Sequence, residues 1–534
     1  MAIATKAVTK KANQTRFNTR DSFHPKLCSR PDNGCDILAT NDISILLPMV
    51  QLNQNFINSI AKDMPDHLSM DEFISYCAKP LRPSIRVNTL KITTADFITM
   101  MNAKGWQFEP VPWCEDGFWV KVDDSVQLGN TVEHIQGLFY IQEASSMLPP
   151  KALFPEPIED ATSLTLLDMA SAPGSKTTQL AAMMNNQGLL VANEYSSSRV
   201  KVLHANVQRM GASNLALTHF DARVFGKYLF ESFDAILLDA PCGGEGTVRK
   251  DPDALKHWDE SEIEAIASVQ RDLIESAFLA LKPGGSLVYS TCTLNRRENQ
   301  DVCLHLKATY GDAVQFESLA GLFPGAEKAS TSEGFLHVWP QIFDSEGFFI
   351  AKLTKIAAVP RNSEEPRKQK NFPFTPIDKK SRQALCDYFD TSFGIKLDGQ
   401  GILMQRDDEF WLFPTNVDPL IGKIRFQRIG LKLADALKKG FKPRHEAVMA
   451  LADRLRGIPL DEAQAIQYLM GRDIALTSKE KPQGERLVSY QGAHLGLVKH
   501  LGNKLKNSLP RDLVRDKICS SSAMAVDQQA TGED

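Results

Sequence analysis

Between about residues 160 and 355 the apolar positions gather into short unbroken runs, at 164–169, 189–193, 215–219, 234–239 and 285–291. Runs of this length, bounded by turn residues, are the pattern of strands buried on both faces. Stretches with helical spacing fill the gaps, notably 196–210 and 261–281. Strands alternating with helices predict a parallel sheet covered on both faces, a doubly wound α/β domain over residues 151–358. Such sheets bind ligands at the carboxyl ends of their strands.

The pattern differs on either side. Residues 49–150 mix a helical stretch starting at Met49, a strand candidate Ser84-Ile-Arg-Val-Asn, and the aromatic residues Trp106, Trp113, Phe118 and Trp119, which reads as a small α+β domain. Pro149, Pro150, Pro155 and Pro157 mark its exit, since successive prolines disfavour regular elements. VPRNSEEPRKQK, residues 359–370, reads as a linker. A first C-terminal domain is expected over 371–430, with a hairpin signal at Asp398-Gly-Gln-Gly and strands at Ile402-Leu-Met and 409–413. A second is expected over 431–512, and residues 513–534 read as a tail. Residues 1–30 hold seven Lys or Arg against one acid, Asp21. Without an amphipathic stripe, residues 1–48 read as a solvated tail rather than a transit peptide, and Met49 is a candidate internal start.

Of 534 residues, 43% are apolar and 24% charged, which supports hydrophobic cores and excludes a wholly disordered chain. With 61 basic and 65 acidic residues the net charge is −4, so contacts to a nucleic acid must come from basic segments rather than a uniformly basic surface. The nine cysteines are dispersed, with no C-x-x-C pair, which points to a reducing, cytoplasmic compartment. His24, Cys28 and Cys35 are the nearest approach to a metal cluster and lack a second ligand pair, so no metal is expected. No run reaches the ~18 apolar residues of a membrane span.

The strand ends carry the candidate chemistry. After the first strand, Ala170, Ser171, Ala172, Pro173, Gly174, Ser175 and Lys176 form a glycine-containing turn that opens a helix and can turn backbone N–H groups toward a polar ligand. Ser175 separates Gly174 from Lys176, so this is not a Walker A loop, and it is not G-x-G-x-x-G. Glu194 follows the second strand and Asp221 the third. Each alone could be a helix N-terminal charge. Together, one suited to two ribose hydroxyls and one to an adenine amino group, they favour an adenosyl cofactor such as S-adenosylmethionine. The fourth strand ends in Asp239-Ala-Pro-Cys242-Gly-Gly and the fifth in Tyr289-Ser-Thr-Cys292-Thr. A lone cysteine there is usually a small buried hydrophobe. Two facing one crevice, one of them near an aspartate, point to chemistry.

The set DMASAPGSKT, ANEYSSSRV, HFDARVF, DAILLDAPCGGEGTVRKDPD and YSTCTLNRREN, with RPSIRVNTLK and GLFYIQEASSMLPP upstream and SEGFLHVWPQ and GFFIAKL downstream, resembles the RNA 5-methylcytosine methyltransferases of the Sun/RsmF family over about residues 50–512. The resemblance implies a class I S-adenosylmethionine-dependent methyltransferase, a Rossmann-like doubly wound sheet, with an N-terminal α+β RNA-binding domain and two C-terminal domains, the last PUA-like. It implies that residues 170–176 surround the methionine and ribose of S-adenosylmethionine, that Glu194 holds the ribose and Asp221 the adenine, and that Asp239 lies between cofactor and target base. Cys292 would be the nucleophile and Cys242 would assist product release. The implied substrate is 16S rRNA, within the 30S subunit, at cytidine 1407 in the customary rRNA numbering. Gly243 stands where relatives often have Ser, a departure expected to matter little because a small residue is kept.

The implied chemistry accounts for the thiol. Carbon 5 of cytosine is a poor nucleophile, so a thiolate adds at carbon 6 to activate it, and Lys176 or nearby backbone dipoles are expected to favour that thiolate. Asp239 could bond the cytosine N4 or, if protonated, N3. The base must be flipped out to reach such a site. Phosphate contacts are expected from Arg249, Lys250, Arg296 and Arg297, from eight basic residues between Lys423 and Arg444, and from Lys499, Lys504 and Lys506. Two alternatives stand beside this reading: a DNA cytosine-5 methyltransferase, whose nucleophile follows the Pro-Cys motif and would be Cys242, and a non-catalytic RNA-binding assembly factor on the same fold.

Overall fold

The computed structural model describes residues 52–251, 254–256, 258–361, 364–452 and 457–521; the tail at 1–48, the candidate start Met49 and the group His24, Cys28 and Cys35 lie outside them. Strands β1 (Ser84–Val87), β2 (Gln107–Pro110), β3 (Gly117–Lys121) and β4 (Phe139–Ile141) form an antiparallel sheet in the order β2-β3-β1-β4. Period-two alternation decides its faces. Ile85 and Val87 enter a core with Trp106, Phe118 and Phe139, while the next-door Arg86 is also buried and donates to Gln142 Oε1 (3.0 Å) and Thr178 Oγ1 (3.0 Å), a residue of the next module.

The central sheet contains β5 (Thr165–Asp168), β6 (Leu189–Asn193), β7 (Leu215–Thr218), β8 (Phe233–Asp239) and β9 (Leu281–Thr291), parallel and ordered β9-β8-β5-β6-β7. Alternate residues enter two separate cores. Leu167, Val191, Ile236 and Leu287 pack on one face and Leu166, Leu190, Leu237 and Val288 on the other. Helices α1 (Ser175–Met183) and α2 (Ser197–Met210) cover the second face through Leu180 and Leu203. Helices α3 (Glu260–Ala280) and α4 (Gln300–Tyr310) cover the first through Ile274, Phe278 and Leu306. The strand order reverses between β5 and β8, which leaves the crevice for a ligand at their carboxyl ends. Strands β10 (Val314–Glu317), β11 (Leu336–Val338) and β12 (Phe348–Lys355) extend the sheet antiparallel beyond β9.

The expected boundary at 430/431 does not separate two sheets. Strands β13 (Thr375–Pro376), β14 (Ile402–Arg406) and β15 (Glu409–Phe413) continue into β17 (Leu431–Ala436) and β18 (Phe441–Pro443), because Leu431 and Lys432 pair with Leu412 and Trp411. Just before the expected break, β16 (Arg428–Ile429) leaves that module to pair antiparallel with β7. The last sheet contains β19 (Ile458–Pro459), β20 (Ile474–Ala475), β21 (Gly484–Tyr490), β22 (Ala493–His500) and β23 (Lys504–Asn507). Nor is the chain free from residue 513: Cys519 N donates to Asn130 O at 3.1 Å, and Trp106 Nε1 donates to Ser521 O at 2.8 Å. Lys104 Nζ reaches Glu133 Oε1 (2.5 Å), Tyr490 OH (3.0 Å) and Ser521 Oγ (2.6 Å), joining three parts of the chain in one buried cluster. Among the described residues no helix is long and apolar enough to cross a membrane.

Candidate active site

The crevice opens where β5, β6, β7, β8 and β9 end. After β5, Asp168 is fully buried; Thr177 Oγ1 donates to its Oδ2 at 2.6 Å and Oδ1 has no partner. Burial, with Asp239 adding, raises its pKa to about 7 against the pull of Thr177 and Lys176. Gly174 opens α1 at a φ of 107°, a conformation that favours glycine, and a Cβ there would stand 3.1 Å from Leu203 Cδ1, a tight contact. Glu194 is buried and accepts from Ser196 N–H at 2.8 Å, with Arg199 Nη1 3.5 Å from its other oxygen. Asp221 accepts from Arg223 N–H and is clasped by the Arg223 guanidinium at 2.6 Å, whose bonds hold its pKa below the usual value.

Asn193 joins these three loops and was not legible as a site residue. Its Nδ2 donates to Met169 O and Phe220 O, and its Oδ1 accepts from Phe220 N–H and Thr218 Oγ1. Its backbone carbonyl accepts from Ser171 N–H at 2.8 Å. The available signal is a buried amide ending the apolar run Leu-Leu-Val-Ala-Asn.

On the other side of the switch point, Lys176 Nζ donates to Asp239 Oδ2 at 2.8 Å and to Ser146 Oγ at 3.0 Å. Burial works against the Lys176 charge, yet Asp239, with Cys292 and Asp168 adding, lifts its pKa above the ordinary lysine value. Asp239 Oδ1 accepts from Ser290 Oγ at 2.8 Å, so two donors converge on a partly exposed carboxylate. The Phe348 ring lies 5.3 Å from Lys176 Nζ. Cys242 and Cys292, both free and partly buried, stand with their sulfurs 3.3 Å apart. Bonding to Cys292 and burial hold the Cys242 thiol well above its ordinary pKa.

Two buried glutamates stand behind the thiols; both fall within the strand-end motifs, which give no sign of their burial or bonds. Glu245 Oε2 accepts from Thr293 Oγ1 (2.8 Å), Leu294 N–H (3.1 Å), Asn295 N–H (2.9 Å) and Asn295 Nδ2 (3.1 Å), while Trp258 Nε1 donates to its Oε1 at 2.7 Å. Glu298 accepts from Gly243 N–H, Gln270 Nε2 and Asn295 Nδ2 at 2.7–2.9 Å. Glycine at 243 therefore has a consequence that sequence reasoning did not expect: a Cβ would lie 2.8 Å from Glu298 Oε1. A second acidic pair, Glu143 and Glu346, lies beyond Ser146. Glu143 accepts from Ser146 N–H (3.1 Å) and Glu346 N–H (3.2 Å), and burial followed by the Glu143 charge raises the pKa of Glu346 to about 8.

Several of the basic residues expected at phosphates are engaged within the chain. Arg249 is buried and bonds Lys79 O, Pro80 O, Ser345 O and Asp344, which makes it a tie between modules. Arg296 pairs with Asp301 and Glu333, and Arg297 with Glu260. In the basic segment, Arg428 pairs with Glu446, Lys432 with Glu409 and Asp435, and Arg444 with Asp435. Lys504 pairs with Asp473. Lys250, Arg425, Lys438, Lys439, Lys442, Lys499 and Lys506 are exposed.

Comparison with known proteins gives four family matches along the chain. Residues 52–144 match the N-terminal domain of 16S rRNA methyltransferase RsmF, 153–354 the 16S rRNA methyltransferase RsmB/F family, 374–451 the pre-PUA domain of ribosomal RNA small subunit methyltransferase F, and 456–515 the methyltransferase RsmF PUA domain. The chain is similar to the ribosomal RNA small subunit methyltransferase F of Shewanella sediminis, 69% identical over 475 residues that cover 89% of this chain and 99% of that relative. It is 68% identical to the protein of that name from Shewanella oneidensis over 471 residues, covering 88% and 98%. Among solved structures, PH0851 superposes with a TM-score of 0.52 at 28% identity, covering 60% of this chain and 70% of that one.

Proposed function

Since the chain belongs to the ribosomal RNA small subunit methyltransferase F family, whose members use S-adenosylmethionine, we propose that it methylates carbon 5 of a cytidine in 16S rRNA through a covalent bond between Cys292 and carbon 6. The observation that carries this reading is the 3.3 Å approach of the Cys242 and Cys292 sulfurs at the ends of adjacent strands, beside the Lys176–Asp239 pair.

The chain's own groups suit each part of the reaction. Residues 170–176, Glu194 and Asp221 would hold the cofactor, and the fit is chemical: Glu194 and Asp221 are acceptors at the two strand ends where ribose hydroxyls and an adenine amine need them. When bound, S-adenosylmethionine supplies an electrophilic methyl group. Asp239, receiving donors from Lys176 and Ser290, is an acceptor for the cytosine N4 amine. Attack of the Cys292 thiolate forms the S–C6 bond and makes carbon 5 nucleophilic. After methylation the C5 proton leaves, its bonding pair restores the C5–C6 double bond, and Cys292 departs with the S–C6 pair. Cys242 is the group beside Cys292 suited to assist that release. The exposed lysines of the last two modules, Lys438, Lys439, Lys442, Lys499 and Lys506, would hold rRNA phosphates.

Trapping on RNA containing 5-azacytidine tests the assignment. The reading expects a covalent adduct that Cys292→Ala abolishes and Cys242→Ala retains. An adduct that needs Cys242 instead would replace it with the DNA-type mechanism, and no methyl transfer to 30S subunits by the wild-type chain would leave an assembly factor.

A further inference from the structure

Cys242 is bracketed by one pair of buried side chains. Gln270 Nε2 of α3 donates to Pro241 O, on one side of the cysteine, at 2.9 Å, and to Glu298 Oε2 at 2.9 Å. The same Glu298 oxygen accepts from Gly243 N–H, on the other side, at 2.8 Å. The peptides before and after Cys242 thus end on one hydrogen-bonded unit. The second Glu298 oxygen turns to the other thiol loop: Asn295 Nδ2 donates to it at 2.7 Å, and Thr293, the residue after Cys292, has Oγ1 3.5 Å away. Both Gln270 and Glu298 are fully buried, so water does not substitute for these bonds.

We infer that Glu298, supported by Gln270, is a positioning residue that holds the Cys242 turn in register with the Cys292 loop and thereby governs release of the methylated product. The inference rests on the proposed function, because it assigns Glu298 to the step that frees Cys292. A carboxyl suits the place where an amide does not. Gly243 N–H, Gln270 Nε2 and Asn295 Nδ2 all donate inward, and both carboxyl oxygens can accept with or without a proton, whereas a glutamine would turn its own NH2, which cannot accept, against one of those donors. The Cys242 turn would loosen, while the Cys292 loop, although it shares Asn295 with Glu298, would keep its four bonds to Glu245 Oε2. Outer-shell partners that orient metal ligands change activity by about 10- to 100-fold when removed, and a loss of that order is expected here.

The test compares the full-length wild type, Cys242→Ala and Glu298→Gln on unmodified 30S subunits, reading single-turnover methyl transfer and the fraction of chain covalently joined to RNA. If Cys242→Ala does not accumulate adduct, the proposed function fails. If it does, Glu298→Gln is expected to transfer methyl in the first turnover at near the wild-type rate and to release the adduct about tenfold more slowly or worse. Release at the wild-type rate would overturn the inference. So would methyl transfer and release slowing in equal proportion, the mark of a merely structural residue. Should Glu298→Gln not fold, Gly243→Ala approaches the same contact from the other side, placing a methyl 2.8 Å from Glu298 Oε1, and is read by the same outcomes.

Discussion

Lys176 Nζ and Asp239 Oδ2 are 2.8 Å apart across the switch point, the lysine buried and the aspartate partly exposed. The lysine is thus the fixed partner, and on the proposed function the more exposed aspartate would be the one to meet the substrate. Lys176→Met removes one of the two donors that orient Asp239 and leaves Ser290 Oγ alone. Methyl transfer at saturating cofactor is expected to fall on the order of 100-fold or more, in line with loss of a preorganised polar group, a larger loss than the weakening of cofactor binding that follows from the place of Lys176 in the 170–176 turn. Kinetics on 30S subunits and cofactor titration check this together; affinity collapsing in parallel with rate would refute it.

Three buried carboxyls have raised pKa values, chiefly through burial: Asp168 to about 7, Glu298 to about 7 and Glu346 to about 8. Each stays protonated in the folded chain at a pH where the unfolded chain has already released its proton. Their contribution to stability is complete below about pH 4 and is lost as pH rises through about 7 to 8. Glu346→Gln cannot ionise, so its thermal midpoint is expected to fall less than the wild type's between about pH 5 and 8. Parallel curves for the two proteins would contradict the assignment.

The Lys104–Glu133 pair is almost completely buried, with side-chain exposures of 8% and 0%. Lys104→Met leaves the Glu133 charge buried without its partner, a loss of about 3–5 kcal/mol. The double variant Lys104→Met, Glu133→Leu is expected to recover most of that loss, since a buried pair replaced by apolar groups is often neutral. Denaturant midpoints of the three proteins separate the cases. A double variant as unstable as the single one would show that the pair itself stabilises the chain.

Glu245→Leu removes the acceptor for two main-chain N–H groups and three side-chain donors in one buried place. Each donor left unsatisfied costs about 1–3 kcal/mol, so the variant is expected to be poorly soluble or strongly destabilised, whereas Glu245→Gln retains part of the acceptor capacity and part of the stability. Comparing soluble yield and thermal midpoint of the two variants checks this ordering.

The central sheet was legible because strands buried on both faces must be apolar throughout. The run 189–193 coincides with β6, and four others agree with their strands to within a residue at their carboxyl ends. The candidate residues Cys242, Cys292, Glu194 and Asp239 were read at those ends, and the structure places them there. Glu245 and Glu298 could not be read in that way, because their roles come from bonds between loops about 50 positions apart, and an isolated Glu in a polar loop carries no sign of burial. The break at 430/431 misled for a related reason. Gly430 punctuates the sequence, but its φ of 57° lets one chain pass between two sheets, and a Cβ there would stand 2.0 Å from Leu412 O.

That crossing gives β16 a further importance. By pairing Arg428 and Ile429 with Leu217 and Ala216, it occupies the outer rim of the methyltransferase sheet, where an unpaired strand would offer its amides to any passing chain. The segment after the linker thus covers a sheet edge that would otherwise be open to other chains. A chain cut near residue 360 would bare that rim together with the apolar surface beneath Trp411 and Phe413, and would clump rather than work as a minimal enzyme.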